Sequence, residues 1–414
     1  MYMDIIKEEL RKSFYFFWEM ANRDPQSPGY GLVVDDSGKP EIASIASVGF
    51  GLSAVVIGVH NGFISYDQGL DSALKTLRTF AERIPHHLGF FMHYVLTATG
   101  LPRNNAEYST IDTAIFLNGA VTADAFFDNP EVHRLFQTIY DRVDWNAFVF
   151  DYKGKPTFRM AYNPVEGGDY RWNRKDPWIW QWDMTAEQLS MYFLAAGSDS
   201  VSEETARGLY HGFSRKVGKY GDYEYVYSPS NPLFVYQYSH AWIDFGHYVD
   251  DQGFDWADNT RKATYGNREW CLWHRDRFPL FSENMWGITA CLTPRGYRGQ
   301  GVAPTDNPDH PDGHCEGVVA PSAAAGSLPY APEIVVPVLN HLWKHYPESF
   351  GKYGFTDGIS LEGDDLWISS RYIGIDKGIT VLMLDNYLHG TIWNLYMNHP
   401  VIQKAIRKLG FRKR

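Results

Sequence analysis

Cysteine is scarce in this sequence, and basic residues are outnumbered by acidic ones. The three cysteines in 414 residues form no Cys-x-x-Cys pair, so they support neither a disulfide framework nor a cysteine zinc site. Lys and Arg number 38 against 49 Asp and Glu, which gives a formal net charge of -11. Binding to nucleic acid or to an anionic membrane requires a basic surface. We therefore expect neither partner.

Sequence motifs for cofactors are also absent. The Gly-rich segments 49–53 and 320–329 match neither the dinucleotide fingerprint nor a Walker loop, and no Gly-x-Ser-x-Gly elbow occurs. We predict no cofactor and no metal site. Charged residues such as Glu8, Arg11 and Glu19 interrupt the N-terminal apolar residues, which is unlike a signal peptide and favours a packed first helix. We expect a cytoplasmic protein without a membrane span, and the sequence does not predict its oligomeric state.

Aromatic residues are what the sequence has in excess. The chain contains 14 Trp, 27 Tyr and 25 Phe, which together make up 16% of it, and its hydrophobic fraction of 44% is enough for a large core. Trp and Tyr combine an apolar face with a polar edge. They therefore suit a core that opens into a wet groove lined for sugars.

Apolar residues recur mainly at helical spacing. Long connections rich in aromatic residues and acids separate the helices, as is typical of loops that carry function. A hairpin is indicated over 146–162, with Lys153-Gly154-Lys155 at its turn. We expect one all-α domain over residues 1–414, in which helix pairs can close into a ring. Helices are predicted over residues 3–22, 42–59, 67–84, 109–127, 130–142, 184–196, 201–217, 233–249, 254–275, 332–346, 376–397 and 399–409.

A run of tryptophans precedes the first candidate acid. Trp178, Trp180 and Trp182 alternate ahead of Asp183 and Glu187, and these two acids, four residues apart, would share one helix face. Desolvation among indoles raises the pKa of a glutamic acid, as a general acid needs near neutral pH. The alternative is a helix N-terminus that prefers acids for its dipole.

A second candidate acid, Asp112, lies in an otherwise apolar helix between Ile111 and Ile115. A buried acid needs a partner or a function. Asp112 could equally be a capping acid in the first turn, with Ser109 as the N-cap.

Two further clusters contain polar groups. Gln237, His240, Trp242 and Asp244 stand among aromatic residues in 232–251, where they suit recognition of hydroxyl groups better than nucleophilic attack. His240 could instead be a satisfied core residue, and a metal site at His240 and Asp244 lacks a third ligand. The acidic and histidine-rich loop 305–317 is predicted to be a solvated turn, with a bound cation as the alternative.

Eight segments taken together resemble the glucoamylase-like domain of glycoside hydrolase family 144, which contains bacterial β-1,2-glucanases. They run in the family's order from about residue 14 to 411. The resemblance implies an (α/α)6 toroid, hydrolysis of β-1,2-glucosidic bonds, inversion at the anomeric carbon and no metal requirement. The segments are ASIASVGFGLSA, GFFMHY, STIDTAIFLNGA, PLFVYQYSHAWIDF, NMWGITA, GVVAPSAAAGSLPYAPE, IGIDKG and LDNYLHGTIWNLYMNHP.

The resemblance assigns roles to individual residues. Glu187 falls on the expected general acid, and Asp112 falls on an acid expected at the point of cleavage, which makes it our first candidate for the base. Trp178 and Trp182 are candidate stacking surfaces for pyranose rings. The other family positions, predicted to bind substrate, are His93, Gln237, His240, Trp242, Asp244 and Trp286.

The sequence also departs from the family pattern. Tyr236 stands where the family has His, Gly246 replaces an Arg, and Asp385 replaces the Glu of a Glu-Asn-Tyr motif. These changes leave open a hydrolase acting on another linkage or sugar. A sugar epimerase or isomerase on a helical toroid, with His93 and His240 as acid and base, is a further alternative. A non-catalytic glycan-binding protein is disfavoured, because two acids in apolar helices would then be only a cost in stability.

Overall fold

The computed structural model describes residues 2–304 and 314–414. Helices dominate this part of the chain, and four short 3-10 turns lie at 145–148, 233–236, 239–241 and 347–349. The thirteen α-helices of the described residues are Tyr2–Glu19 (α1), Ile45–His60 (α2), Tyr66–Glu82 (α3), Thr110–Phe126 (α4), Pro130–Asp141 (α5), Leu189–Gly197 (α6), Glu203–Gly212 (α7), Trp256–Trp273 (α8), Pro321–Ala325 (α9), Pro332–His345 (α10), Gly374–Leu388 (α11), Thr391–Asn398 (α12) and Pro400–Leu409 (α13).

Short strands occupy the connections between the helices and pair mostly as two-stranded antiparallel ribbons. In chain order they are Ile42–Ser44 (β1), His86–His87 (β2), Phe90–Phe91 (β3), Tyr94–Leu96 (β4), Tyr108–Ser109 (β5), Val149–Tyr152 (β6), Lys155–Tyr162 (β7), Trp178–Gln181 (β8), Val217–Tyr220 (β9), Tyr223–Val226 (β10), Tyr248–Val249 (β11), Cys291–Thr293 (β12), Gly296–Arg298 (β13), Phe350–Gly351 (β14), Gly354–Phe355 (β15), Ile359–Glu362 (β16), Asp365–Ile368 (β17) and Arg412–Lys413 (β18).

The helices differ in how they are buried. Helices α2, α4, α6 and α11 are buried on nearly all sides, so their sequences are apolar all round. Helices α3, α5, α7 and α13 bury one stripe only; in α3 it contains Ala73, Leu77 and Phe80. One continuous cluster of buried side chains joins the two kinds of helix. None of the helices described is long and apolar enough to cross a membrane.

Two glycines set the closest helix contact. A Cβ on Gly49 of α2 would lie 2.2 Å from the carbonyl oxygen of Ile115, and a Cβ on Gly119 of α4 would lie 2.0 Å from the carbonyl oxygen of Gly49. Since no larger residue fits at either position, the backbones of α2 and α4 touch. This contact fixes α4, which carries Asp112, against the apolar interior.

One small sheet connects the two candidate acids. The predicted hairpin over 146–162 is confirmed as β6 and β7, which turn at Lys153 and Gly154. The second half of β7 pairs with β5 on one side and β8 on the other. Strand β5 leads directly into α4 and Asp112, whereas β8 leads towards Glu187. The sheet therefore holds the two acid-bearing segments on either side of β7.

The helix predicted over 233–249 is wrong. The chain there forms two 3-10 turns and the strand β11. Distant side chains take the carbonyl groups that a helix would use: Asn386 donates to the carbonyl of Ala241 at 2.9 Å, and Trp393 Nε1 donates to that of His240 at 2.7 Å. Tertiary hydrogen bonds thus replace the local ones, and His240 and Asp244 do not share a helix face.

Several other helix boundaries differ from the prediction, and two of them change the interpretation most. Helix α6 begins at Leu189 rather than 184, because residues 183–185 pair with Ser214: its N–H donates to the carbonyl of Asp183 at 2.8 Å. Asp183 and Glu187 therefore precede the helix and share no face of it. The predicted helix over 376–397 is divided into α11 and α12 at Gly390, whose φ of 64° is left-handed.

Candidate active site

Asp112 is held at the start of a buried helix. The side-chain oxygen of Ser109, the N-cap of α4, accepts the N–H of Asp112 at 3.2 Å, and its hydroxyl donates to Asp112 Oδ2 at 2.6 Å. The capping arrangement weighed from the sequence is therefore present, and Asp112 is also buried. Burial raises the pKa of Asp112, while His93 and the bond from Ser109 counteract that rise.

His93 lies close to two acids, Glu107 and Asp112, and interacts electrostatically with a third, Asp35. Its Nδ1 lies 2.9 Å from Glu107 Oε1, its Nε2 lies 3.6 Å from Asp112 Oδ1, and its ring stacks on that of Tyr94 with 3.8 Å between centroids. Burial by itself would lower the pKa of His93, but Asp112, Glu107 and Asp35 together raise it to about 9. The imidazole is therefore a cation at neutral pH, and it compensates acids that would otherwise repel one another.

Glu187 is placed in the turn that precedes α6. The hydroxyl of Ser239 donates to its carbonyl at 2.6 Å, which fixes the turn. Burial raises the pKa of the Glu187 carboxyl to about 7, and the nearby Asp112 adds to the rise. This is the property that the sequence predicted for a general acid, although it arises in a turn and not on a helix face. Asp35, His93, Glu107, Asp112 and Glu187 are called the site cluster below.

Several residues of this region were not predicted from the sequence. Asp35 and Glu107 lie in loops and have no periodic or motif signal of their own, whereas Tyr94 belongs to the segment GFFMHY but was assigned no role there. Tyr238 was hidden among aromatics in 232–251. Burial raises the pKa of its phenol, and so do Asp376 and, less strongly, Glu187. Tyr238 is therefore within electrostatic reach of both Asp376 and Glu187.

A cavity of about 170 Å³ opens beside the site cluster. It meets the cluster at Asp35, whose pKa is raised by burial, and it is also lined by Tyr94, whose ring stacks on that of His93. The cavity wall combines acids, cations and apolar side chains, a composition that suits a polar ligand with apolar faces. Its lining residues are Asp35, Asp36, Lys39, Ile42, Tyr94, Arg103, Tyr297, Ile373 and Ile375.

The two tryptophans predicted to stack on sugars are packed inward. Trp182 is buried, and its Nε1 donates to Thr110 Oγ1 at 3.0 Å, at the first residue of α4. Trp178 is half-buried with its ring against Phe148 and Tyr162, at 5.0 Å between centroids in both cases. Both side chains support the sheet and α4 from inside the protein.

Three of the predicted substrate-binding residues in 232–245 pack within the core, although His240 Nδ1 has no hydrogen-bond partner among the described residues. Gln237 Nε2 donates to the carbonyl of Ala323 at 2.8 Å and to Ser327 at 2.7 Å. His240 Nε2 lies 2.9 Å from Thr260 Oγ1, and burial lowers the pKa of His240 to about 3, so the ring is neutral. Trp242 Nε1 donates to Ser53 at 3.0 Å. None of these three side chains lines the cavity, and of the site cluster only Asp35 does.

The remaining predicted residues also lie apart from the cavity. Trp286 is fully buried, and its Nε1 has no hydrogen-bond partner among the residues described. Asp244 Oδ2 lies 2.6 Å from Nδ1 of the exposed His247, whereas its Oδ1 is buried without a partner in the described part of the chain. A Cβ on Gly246, where the family has Arg, would lie 3.1 Å from that Oδ1.

Metal-binding geometry is not found in the part of the chain that the structure describes. No group of three or more His, Cys, Asp or Glu side chains there could hold an ion. Residues 305–313 of the acidic loop lie outside the described residues, so the cation alternative for Asp306, Asp309, His310 and Asp312 stays a prediction. In the described end of that loop, His314 Nε2 lies 3.0 Å from Glu316 Oε1.

A family model described as "Putative glucoamylase" matches residues 179–400, which is more than half of the chain. The chain belongs to this family. The resemblance that the eight sequence segments carried is thereby confirmed, and the matched region includes Glu187 and the segments from 232 onwards.

Three individual proteins illustrate what this glucoamylase-family chain is similar to. An exo β-1,2-glucooligosaccharide sophorohydrolase of Parabacteroides distasonis is 25% identical over 98% of this chain, which spans only 57% of that protein. A solved structure described as a putative glucoamylase of Bacteroides fragilis is 27% identical with a TM-score of 0.84, covering 100% of this chain and 98% of the other. An endo-β-1,2-glucanase of Chitinophaga pinensis, solved with sophorotriose and glucose, is 25% identical with a TM-score of 0.83, covering 100% and 99%.

Proposed function

We propose that this chain hydrolyses β-1,2-glucosidic bonds in β-1,2-glucan or its oligosaccharides. The observation that carries the proposal is Glu187, a half-buried residue whose carboxyl pKa is raised to about 7 by desolvation and, to a smaller extent, by the charge of Asp112. Two carboxyl groups with differently tuned pKa values are what glycosidic hydrolysis requires. Two of the relatives described above are named as enzymes acting on β-1,2-linked glucose, which supports the choice of linkage.

In the proposed mechanism Glu187 donates its proton to the leaving glycosidic oxygen. Near neutral pH a carboxyl with a pKa of about 7 is still partly protonated, which suits it to this role. Asp112 takes the proton of a water that attacks the anomeric carbon from the opposite face of the sugar. Attack from that face inverts the anomeric configuration, and it needs about 6.5–9.5 Å between the two carboxyl groups so that the water fits.

His93 acts in this mechanism through Asp112. The imidazolium favours the ionised form of Asp112, which is the form that can accept a proton, against the effect of burial. Glu107 holds the other side of the ring at 2.9 Å and fixes its orientation. His93 is thus assigned a positioning role, whereas the sequence resemblance gave it a role in binding substrate.

We also propose that the helices form a single toroidal domain. The apolar helices α2, α4, α6 and α11 and the amphipathic helices α3, α5, α7 and α13 agree with the inner and outer layers of a single (α/α)6 toroidal domain over residues 1–414. Loops that gather at one end of such a toroid would form the cavity. The cytoplasmic location stays a prediction from the sequence.

The epimerase alternative finds less support. It needs His93 and His240 to face one substrate as acid and base, but His240 is buried against Thr260 and its pKa is lowered to about 3 by burial. Hydrolysis of a different linkage or sugar stays open, because Tyr236 and Gly246 depart from the family pattern.

The test is incubation of the purified protein with linear β-1,2-glucan and the sophorose series, with products read by chromatography and by proton NMR. We expect short products whose new reducing ends appear first as the α anomer. Glu187→Gln should lower turnover by about a thousandfold or more, whereas Glu204→Gln, an exposed glutamate in the first turn of α7, should leave it unchanged. Asp112→Asn should lower kcat if Asp112 is the base.

Three results would contradict parts of this proposal. Near-normal turnover in Glu187→Gln would refute the acid, and an effect of Asp112→Asn confined to KM would reduce Asp112 to substrate binding. Absence of any products would refute the β-1,2 linkage, and a panel of other β-glycans would follow. A rearranged sugar without new reducing ends would favour the epimerase.

A further inference from the structure

Three large aromatic side chains stand exposed next to one another. The exposed fractions are 36% for Tyr170, 67% for Trp172 and 44% for Trp180. The Tyr170 ring lies 5.8 Å from that of Trp172 and 5.5 Å from that of Trp180, measured between centroids. Large aromatic side chains usually bury most of their surface. Three neighbouring ones at the surface therefore indicate a site where a ligand or a partner binds.

Two of these exposed rings belong to residues with a strained backbone. Tyr170 has a φ of 59° and Trp180 a φ of 33°, and bulky residues rarely adopt such left-handed values. In the same run, Trp178 and Trp182 pack inward. Regular strand geometry would place Trp180 on their side, because alternate residues share a face. The positive φ instead turns its ring to solvent, and strain of this kind concentrates at ligand sites.

The loop that carries Tyr170 and Trp172 is firmly built. The buried Arg171 donates from Nη1 to the carbonyl of Pro164 at 2.9 Å and from Nε to that of Arg174 at 3.2 Å. The N–H of Asp169 donates to the carbonyl of Asn105 at 3.0 Å, which attaches the loop beside Glu107. The aromatic rings are therefore held in place before any ligand binds, which lowers the entropic cost of binding.

The same loop brings the aromatic cluster to the site cluster. Partial desolvation raises the pKa of the Tyr170 phenol to about 12, and the charges of Glu107, Asp112 and Asp169 add to the rise. Trp180 lies on β8, seven residues before Glu187 in the chain. The exposed rings thus continue from the proposed point of cleavage outwards to solvent.

We propose that Tyr170, Trp172 and Trp180 form an aromatic platform that binds a glucosyl ring of the substrate away from the scissile bond. The inference rests on the proposed function, and it names the part of the enzyme that holds the longer end of a β-1,2-glucan chain. The axial hydrogens of β-glucopyranose make an apolar face that stacks on an indole or phenol ring. Rings fixed in advance and left open to water suit such a ligand, and each loses its hydration only when a sugar covers it.

The test compares substrates of different length across matched variants. Trp180→Gly removes the ring and accommodates the left-handed φ, and Trp180→Phe keeps an aromatic face. Trp172→Ala removes the most exposed ring. The control is Trp273→Ala at the end of α8, a tryptophan that is 52% exposed and contacts Tyr220. Thermal melts of all four variants establish that each is folded.

For long β-1,2-glucan, Trp180→Gly and Trp172→Ala should each raise KM by about tenfold while kcat changes by less than about twofold. The effect should be smaller for the shortest oligosaccharide that is cleaved. Trp180→Phe should recover most of the loss, and Trp273→Ala should behave as wild type. Glucan added to Glu187→Gln should shift its tryptophan fluorescence, and a second substitution of Trp180 by Gly should reduce that shift.

The outcomes separate the two proposals. A wild-type protein that hydrolyses β-1,2-glucan, with unchanged KM in Trp180→Gly and Trp172→Ala, would overturn the platform and leave the function standing. A loss of kcat equal for all chain lengths would also overturn it, since the rings would then support the acids and not bind the chain. A wild type that cleaves no β-1,2-glucan would overturn the proposed function itself.

Discussion

Two regions of this protein bury acids, and they neutralise them differently. In the site cluster the compensating cation is His93, whose proton can be lost, and one side of the cluster meets a cavity of about 170 Å³. The second region, called the core cluster, consists of Glu9, Asp357, Asp376 and Lys377. There Lys377 Nζ lies 2.6 Å from Glu9 Oε1, and the adjoining cavity measures about 10 Å³.

The carboxyl pair of the core cluster behaves as a unit. Burial raises the pKa of Asp357 to about 6, while the N–H of Leu292 donates to it at 2.5 Å and counteracts that rise. Burial and the charge of Asp357 raise the pKa of Asp376 further, so the pair keeps a proton at neutral pH. Buried acids with raised pKa values are therefore not enough to locate an active site. The site cluster differs in having an open cavity and aromatic rings exposed to solvent.

The largest expected effect tests the core cluster. Lys377→Met should lower the free energy of unfolding by about 3–5 kcal/mol, because the buried Glu9 carboxyl would lose the cation that offsets its desolvation. Urea unfolding measures it. Lys75→Met serves as control, since the exposed pair of Lys75 with Asp71 contributes less than about 1 kcal/mol. An equally small loss for both variants would mean that the buried pair is no more important than a surface one.

The corresponding variant in the site cluster, Glu187→Gln, should raise the free energy of unfolding instead of lowering it. The pKa of Glu187 rises from an ordinary 4.5 to about 7 in the folded chain. Its contribution to stability is fully present below pH 4.5 and is lost as pH rises through about 7, because the unfolded chain ionises first. Glu187→Gln should therefore be more stable than wild type above pH 7, by up to about 3 kcal/mol at roughly 1.4 kcal/mol per pKa unit.

Unfolding of Glu187→Gln and wild type at pH 5 and pH 8 measures this difference. A gain that grows with pH, together with lost turnover, would show that the carboxyl is kept at a cost in stability. A gain independent of pH would contradict the raised pKa.

Substitution of His93 tests whether the stability of the site cluster depends on the proton that the imidazole carries. Its pKa rises from 6.5 to about 9, so its contribution to stability is fully present below pH 6.5 and is lost as pH rises through about 9. We expect His93→Gln to lose up to about 3 kcal/mol at pH 6 and much less at pH 10. His133→Gln, at an exposed ring beside Asp124, is the control. Equal losses for His93→Gln at both pH values would rule out the charge as the cause.

The smallest expected effect belongs to Asp376. Since this carboxyl keeps a proton at neutral pH, Asp376→Asn replaces one neutral group by another of the same shape. The free energy of unfolding at pH 7 should change by less than about 1 kcal/mol. Urea unfolding of Asp376→Asn and of Lys377→Met at pH 7, compared by their midpoints, measures this change. A loss as large as that of the lysine variant would mean that Asp376 is ionised and paired.

Local chemistry predicted most of the helices. In α3, Ser65 and Gln68 form a capping box, and Ala73, Leu77 and Phe80 follow at helical spacing, so every signal lies within one stretch of chain. Ser109 and Asp112 are similar, because the cap and the acid are three residues apart. The motifs also identified Glu187 and Asp112, which the structure places within electrostatic reach of each other.

By itself, then, the sequence determined the helical periods, the caps and the family, and it nominated the two candidate acids, since each of these is written in neighbouring residues or in motif order. Only the tertiary structure decided that 233–249 is not a helix, that Glu187 stands in a turn and that Trp182 points inward while Trp180 faces solvent. Those outcomes depend on bonds between distant positions, such as Asn386 to Ala241 and Trp182 to Thr110. A buried polar group must find a partner wherever one exists in space, and sequence spacing does not say where that is.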